Sequence, residues 1–144
     1  YKVELAKQIM MLAHKGQTRW DGRPYKVHPE KVVEILKMFG ITDEAILITG
    51  YLHDVLEDTD VSEEQILGNF GNDVLGLVQE LTYNTLNDEQ YWNKTLNLTG
   101  RAKLIKVADI LANITDKGAK SNHFILKRVK ALQLIINPEV LSKE

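Results

Sequence analysis

Apolar residues recur at spacings of three and four along almost the whole of this 144-residue chain, and no segment alternates strictly between apolar and polar positions. The first pattern is typical of helices that bury one face, and the missing alternation argues against half-buried strands. The sequence therefore predicts an all-α fold. The length suits one ordinary domain, so we expect a single helical bundle over residues 1–144.

Turn and capping residues divide the chain into predicted helices. A helix closed by Gly16 is predicted first, then one that begins around Pro29 and ends at Gly40. Thr42 is the predicted cap of a helix that continues to Glu57. The remaining predicted helices are 62–70, opened by a capping box of Ser62 and Gln65, 74–81, 101–116, and 122–136, ended by Asn137-Pro138. The Asn-rich segment 83–100 is predicted as a mobile loop with one helical piece at 89–96.

Composition limits the partners and the chemistry. The chain has 18 Lys and Arg against 20 Asp and Glu, a formal net charge of -2, which disfavours a nucleic acid as the main partner. It contains no cysteine, which excludes thiolate ligands and a thiol nucleophile and fits a reducing compartment. No stretch approaches the roughly 20 apolar residues that span a bilayer. We therefore expect a soluble, cytoplasmic protein that does not engage membranes.

The run from His53 to Asp58 ends a strongly apolar predicted helix with four ionisable side chains. His53 and Glu57 are one helical turn apart, and so are Asp54 and Asp58, which predicts two adjacent polar stripes on one face. A functional site is one explanation. The alternative is a solvated C-terminal turn, although acids there oppose the helix dipole.

A second polar stripe lies on the predicted helix 101–116. Apolar residues cover most of its circumference, and the polar positions that remain are Lys103, Lys106, Asp109, Asn113 and Asp116. A buried aspartate needs a partner or a metal, because an unpaired carboxylate in an apolar interior takes up a proton. Asp109 is thus a metal ligand, the ion-pair partner of Lys106, or part of a solvated stripe, and the stripe alone does not decide among these alternatives.

His28 precedes Pro29 at a predicted helix start, where it could cap the helix or act as a ligand. With His53, Asp54 and Asp109 it offers two imidazoles and two carboxylates, a set that suits Mn, Fe or Zn. A divalent ion in such a set can activate water and neutralise charge on a phosphoryl oxygen. These residues predict metal-assisted hydrolysis of a phosphoester or pyrophosphate.

The order His28, His53-Asp54, Asp109 resembles the H…HD…D signature of the HD phosphohydrolase superfamily. Within it, four ordered segments resemble the hydrolase domain of RelA/SpoT-type alarmone enzymes: AHKGQTR at 13–19, GRPYKVHP at 22–29, HDVLEDT at 53–59 and KVADILAN at 106–113. The resemblance spans about residues 5–116. It implies an HD-type helical bundle that removes the 3′-pyrophosphate from guanosine tetra- or pentaphosphate, usually with Mn²⁺.

The resemblance also implies a role for each matching residue. His28, His53, Asp54 and Asp109 correspond to the metal ligands, and Glu57 and Asp58 to the acidic pair that serves the attacking water. Arg19 matches a nucleotide-contacting arginine and Asn113 a ribose-contacting asparagine. The charge pattern adds Lys26, in a loop with a net charge of about +3, and Lys106 as groups that flank the phosphates of a small guanine nucleotide.

Two departures from the family pattern leave the substrate open. Trp20 stands where a second basic residue often follows the arginine, and 109–116 lacks two arginines and ends in Asp116, which could accept hydrogen bonds from guanine. The alternatives are a nucleotidase or a 2′-phosphatase of NADPH that keeps the same metal site, and a non-catalytic alarmone-binding module. Another divalent transition metal could take the place of Mn²⁺. The sequence does not indicate the oligomeric state.

Overall fold

The chain forms helices joined by short connections. A computed structural model describes residues 1–116 and 121–136, and the helices of these residues are α1 (Lys2–Ala13), α2 (Val27–Met38), α3 (Glu44–Leu52), α4 (Val55–Asp58), α5 (Glu63–Phe70), α6 (Asn72–Glu80), α7 (Asp88–Leu96), α8 (Gly100–Ile114) and α9 (Asn122–Ile136). Over the same residues, the only extended pairing is an isolated bridge between Thr18 and Pro24. The predicted all-α fold is confirmed. The predicted helix end at Asn137-Pro138 lies outside the described residues.

Helix α3 is the centre of the bundle. Every residue from Ile46 to Leu52 is buried, and the helix packs against α1, α2, α6 and α8. A helix that is apolar on all sides is stable only when neighbours cover all of it. Gly50 marks the closest approach, because a Cβ atom built there would lie 3.0 Å from both Leu36 Cδ1 and Val33 Cγ2 of α2. The bundle thereby fixes α2 against α3.

Of two predicted N-terminal helix caps, the one of α5 is confirmed and the one of α3 is wrong by one residue. The capping box of Ser62 and Gln65 is present at the start of α5, as predicted. The cap of α3 is Asp43 and not Thr42, because the Asp43 carboxylate accepts a hydrogen bond from the Ile46 backbone N–H at 3.1 Å. Both residue types cap helices well, so their adjacency made the prediction ambiguous by one position.

The predicted continuous helix from Thr42 to Glu57 is wrong at its end. Helix α3 ends at Leu52, α4 begins at Val55, and His53 and Asp54 form the turn between them. The apolar pattern continues through the turn, since Val55 is fully buried, so periodicity gave no signal of the break. The two polar stripes predicted for an unbroken helix are replaced by a junction that carries two neighbouring polar residues.

The segment 83–100 contains the helical piece that the sequence predicts at 89–96. Helix α7 covers half of the segment and begins with a second capping box, formed by Asn87 and Gln90. The Tyr83 hydroxyl lies 2.8 Å from Thr95 Oγ1, so the connection that follows α6 is linked to the last turn of α7. No helix among the described residues is long and apolar enough to cross a membrane.

Candidate metal centre

Three parts of the bundle bring four potential metal ligands together. His28 lies at the start of α2, His53 and Asp54 lie in the turn between α3 and α4, and Asp109 lies in the middle of α8. Ligand atoms of His28, His53 and Asp109 all lie within 4.8 Å of one another. The Asp54 Oδ2 atom is 3.1 Å from His53 Nε2 and 3.9 Å from His28 Nε2. The predicted ligands therefore converge, and their role as ligands stays a prediction.

The orientation of His53 suits a bound cation. Its Nδ1 lies 2.8 Å from the Gly50 carbonyl oxygen, which can only accept, so Nδ1 carries a proton and donates it. The other ring nitrogen, Nε2, is buried, has no hydrogen-bond partner among the described residues, and lies 3.4 Å from Asp109 Oδ1. A backbone carbonyl commonly orients a metal-binding imidazole in this way. The residues present thus fit a divalent cation.

The carboxylates give the cluster a strong preference for positive charge. Burial alone would lower the pKa of His53, but the Asp54 and Asp109 carboxylates outweigh burial and raise that pKa well above its usual value. Burial alone would raise the pKa of Asp109, but Lys106 and the two imidazoles hold it well below its usual range. A site that binds a proton this firmly also suits a cation that replaces the proton.

Asp109 has contacts on both of its oxygens. Oδ1 lies 2.8 Å from His28 Nε2 and accepts a hydrogen bond from Asn113 Nδ2 at 3.3 Å, while Oδ2 accepts one from Lys106 Nζ at 3.3 Å. The ion pair with Lys106, which the sequence offered as the alternative to a ligand role, therefore forms. Because it uses Oδ2, it leaves Oδ1 facing the imidazoles, and the two roles are compatible.

Tyr25 is a member of the site to which the sequence assigned no role. Its hydroxyl donates a hydrogen bond to Asp54 Oδ2, and its ring lies 5.9 Å from that of His28. Burial, followed by the charge of Asp54, raises the pKa of Tyr25, so the hydroxyl keeps its proton and remains a donor. Its place three residues before His28 in the segment 22–29 was the only available signal.

Only one of the two acids predicted to serve the attacking water, Glu57 and Asp58, faces the cavity. Glu57 lines the same cavity as the metal cluster, and its carboxylate accepts a hydrogen bond from the Tyr83 backbone N–H. Burial and the charges of Asp54 and Asp58 raise the pKa of Glu57 despite that hydrogen bond. Asp58 is exposed and does not line the cavity. Burial and the charge of Asp54 raise the pKa of Asp58, and the charge of Asp58 in turn helps to raise the pKa of Glu57.

A cavity of about 270 Å³ opens onto the metal cluster. Of the five predicted substrate-binding residues, Arg19, Lys106 and Asn113 line it, and Lys26 and Asp116 do not. Lys26 is the N-terminal cap residue of α2, and its side chain makes no capping hydrogen bond. Asp116 lies behind Arg19 and borders a second cavity instead.

Helix α9 completes the cavity with residues that the sequence did not reveal. Phe124 and Arg128 line it one helical turn apart. The Arg128 guanidinium lies 3.5 Å from the centre of the Phe124 ring, and the Trp20 ring packs edge-on against Phe124 at 4.8 Å. Tyr83 and Tyr91 form another part of the wall beside Lys106. The spacing of Phe124 and Arg128 was visible, but which face of α9 meets the cavity depends on packing between distant segments.

The chain was compared with models of known protein families. Residues 3–123 match the family described as HD domain. The chain belongs to the HD-domain family. The helical architecture and the spacing of His28, His53-Asp54 and Asp109 are those implied by the resemblance noted from the sequence.

Several curated proteins are similar to this HD-domain chain. It is 42% identical over 118 residues, 76% of its length, to the Drosophila melanogaster guanosine-3′,5′-bis(diphosphate) 3′-pyrophosphohydrolase MESH1. It is 36% identical over 119 residues, 75% of its length, to a probable guanosine-3′,5′-bis(diphosphate) 3′-pyrophosphohydrolase of Synechocystis sp.. The chain spans 65% of the Drosophila protein and 16% of the Synechocystis protein.

A solved structure is similar over nearly the whole chain. It is the structure of a metazoan orthologue of SpoT that hydrolyses ppGpp and plays a role in starvation responses. The TM-score is 0.78 at 34% sequence identity, with 92% of this chain and 85% of the other covered. The arrangement of helices around the candidate metal centre is therefore shared with a known HD-domain structure.

Proposed function

We propose that this protein hydrolyses the 3′-pyrophosphate bond of guanosine tetra- or pentaphosphate, giving GDP or GTP and pyrophosphate, with Mn²⁺ as the cofactor. One observation carries the proposal: four ligand residues, a carboxylate of raised pKa and three cationic side chains all meet in or beside one cavity. The names of the similar proteins supply the substrate, since the geometry alone specifies only a phosphorylated one.

His28, His53, Asp54 and Asp109 would hold the divalent ion. Bound there, the ion would supply a Lewis acid that polarises the phosphoryl group and lowers the pKa of water. The protein prepares these ligands in advance. The Gly50 carbonyl fixes the ring of His53, and the Tyr25 hydroxyl fixes one oxygen of Asp54. Preset ligands lower the entropic cost of binding the ion.

Glu57 is the group that takes the proton from the attacking water. It faces the cavity, and its raised pKa brings it closer to the pH at which the enzyme works, which favours proton transfer. The backbone N–H of Tyr83 donates a hydrogen bond to one carboxylate oxygen and so orients the carboxylate. The negative charge of Asp58 in the same turn helps to keep the Glu57 pKa high.

The cationic side chains bind the polyanionic part of the substrate. Arg19, Lys106 and Arg128 line the cavity, and Arg128 has no ion-pair partner among the described residues. Burial lowers the pKa of Arg128, so its charge is poorly solvated and an anion next to it is favoured. Trp20 and Phe124 offer ring faces for a purine, and Asn113 offers an amide for the ribose.

The acting unit, the compartment and the partners also belong to the proposed function. The acting unit is one HD domain over residues 1–144, and it works in the cytoplasm on a small molecule, without nucleic acid or a membrane. The net charge of -2 and the absence of cysteine support these points.

The test is a substrate panel with defined metals. Protein stripped of metal by a chelator is supplied with Mn²⁺, Zn²⁺ or Mg²⁺ and incubated with guanosine tetraphosphate, guanosine pentaphosphate, NADPH and a nucleoside monophosphate. We expect pyrophosphate from the first two compounds with Mn²⁺. Orthophosphate released only from NADPH or from the monophosphate would contradict the proposal, and tight binding of tetraphosphate without turnover would make the protein a binding module.

A further inference from the structure

Asp116 bridges two arginines that are far away in the sequence. Its Oδ2 atom accepts hydrogen bonds from Arg19 Nη2 at 2.8 Å and from Arg19 Nε at 3.2 Å. Its Oδ1 atom accepts one from Arg23 Nη2. These two guanidinium groups hold the pKa of Asp116 well below its usual range. The residue directly follows the end of α8, so it ties the loop before α2 to that helix.

The guanidinium of Arg19 is held on several sides. The Arg19 and Asp116 side chains are only 7% and 9% exposed, and Asn113 Oδ1 accepts another hydrogen bond from Arg19 Nη2 at 3.1 Å. The rings of Trp20 and Tyr25 lie 4.9 and 5.6 Å from the guanidinium carbon. Only Nη1 has no hydrogen-bond partner among the described residues, and Arg19 lines the cavity. The Arg19 guanidinium therefore has one nitrogen, Nη1, with which it can bind a ligand in the cavity.

The same contacts continue to the candidate metal centre. Asn113, which accepts from Arg19, donates through Nδ2 to Asp109 Oδ1 at 3.3 Å. That oxygen faces His28 Nε2 at 2.8 Å. A hydrogen-bonded path thus runs from Asp116 through Arg19 and Asn113 to Asp109. The position of Arg19 relative to the metal ligands is set along this path.

The geometry does not favour a direct contact between Asp116 and the guanine base. Both carboxylate oxygens already accept charge-assisted hydrogen bonds, which are stronger than those a neutral base offers. The residue also lies outside the lining of the cavity at the metal cluster. A role through Arg19 uses the contacts that exist.

We propose that Asp116 is a positioning residue: it fixes the Arg19 guanidinium in advance so that Nη1 faces the phosphate groups of the substrate, and it thereby sets substrate affinity rather than the rate of bond cleavage. The identity of the nucleotide rests on the proposed function, whereas binding of a phosphate anion does not. A fixed guanidinium loses less conformational freedom on binding than a free one.

Asp116→Asn tests this role, because asparagine keeps the size but loses the charge and one acceptor. We expect KM for guanosine tetraphosphate to rise about tenfold, with kcat within about twofold and Mn²⁺ affinity unchanged. In an Arg19→Ala background, Asp116→Asn should change KM no further, because the two residues act as one unit. Asp73→Asn is the matched control, since it breaks an exposed carboxylate–Arg101 pair and should leave KM unchanged.

A second readout separates this proposal from the proposed function. Binding of inorganic pyrophosphate to metal-free protein, followed by calorimetry, needs neither turnover nor a nucleotide, and Asp116→Asn should weaken it about tenfold. If wild-type protein binds pyrophosphate but cleaves no guanosine tetraphosphate, the proposed function fails while this measurement still decides the role of Asp116. Wild-type protein that binds no pyrophosphate would overturn the positioning role.

Other results would also overturn it. An unchanged or lowered KM would mean that Asp116 does not orient Arg19 for binding, and a loss confined to kcat would place it in the metal site. Additive effects of Asp116→Asn and Arg19→Ala would show that it acts independently of Arg19. Asp116→Glu keeps the charge and provides the same measurements if the asparagine variant does not fold, with a smaller rise in KM expected.

Discussion

The two sides of the cavity are built by different means. On the metal side, the ligands lie on or directly after α2, α3 and α8, and buried packing and a backbone carbonyl fix them. The recognition side is the part of the wall formed by Arg19, which comes from a loop, and Arg128, which comes from α9. Hydrogen bonds and ring contacts between side chains hold these two residues. The core of the protein thus fixes the candidate metal ligands, while the two arginines that would bind substrate depend on a few contacts between side chains. Substitutions on the two sides should therefore change different quantities, metal binding and turnover on one side and KM on the other.

The largest effect is expected for Asp54→Ala on the metal side. It removes a carboxylate that faces both imidazoles, and it leaves the Tyr25 hydroxyl without its hydrogen-bond partner. Metal binding and turnover should be lost together, as measured by metal content and by pyrophosphate release. Asp60→Ala, an exposed acid six residues later, should retain both. A variant that binds no metal and still turns over would break the comparison.

Glu57→Gln should come next, because it removes the proton acceptor but no ligand. Turnover should fall by roughly 10²-fold or more while the metal stays bound. Burial raises the pKa of Glu57, so its ionised form should appear only above the 4.5 that is usual for glutamate. The wild-type rate should therefore rise with pH across that higher value, and the variant should lack this limb of the profile. Equal rates at every pH would remove Glu57 from the mechanism.

Arg128→Ala tests the recognition side. Loss of this cation should raise KM for guanosine tetraphosphate about tenfold, on the scale of one charge-assisted contact, with a smaller change in kcat and no change in metal affinity. Lys130→Ala in the same helix, which does not line the cavity, is the control. A fall in kcat as large as that for Glu57→Gln would show that the two sides are not separate.

The smallest effect on turnover is expected for Gly50→Ala, which changes the core under the metal side. Its Cβ would meet Leu36 and Val33 at 3.0 Å, so the free energy of unfolding should fall by about 1–3 kcal/mol in urea denaturation. Gly68→Ala is matched, because no atom lies within 4 Å of its Cβ and alanine favours the helix. It should be neutral or stabilising. Equal stability of the two variants would show that α2 and α3 are not tightly packed.

Patterns within a few residues of the sequence predicted the helical fold and the start of α5. The helical fold followed from periodicity, and the capping box at Ser62 followed from two residues three positions apart. The sequence singled out His53, Asp54 and Asp109 as ionisable groups in apolar predicted helices, and His28 as a histidine at a predicted helix start. In each case the signal lay within a few residues along the chain, where helix geometry relates spacing to direction.

Features that depend on contacts between distant segments could not be predicted from the sequence. The turn at His53 and Asp54 does not interrupt the apolar periodicity, so periodicity does not reveal it. Lys26 was selected for its charge, but it does not line the cavity. The partners of Asp116 and the place of Arg128 in the wall depend on how the loop and α9 pack against α8. Spacing along one helix carries no information about that packing.

The direct packing of α2 on α8 has a consequence for ion selectivity. His28 belongs to one helix and Asp109 to the other, and 2.8 Å separates their facing atoms. Ala112, a small buried residue of α8, lines a second cavity together with Val27 and Lys31 of α2. With His28 and Asp109 as ligands, the separation of α2 and α8, which is set by side chains that are not ligands, would limit the ionic radius that fits between them.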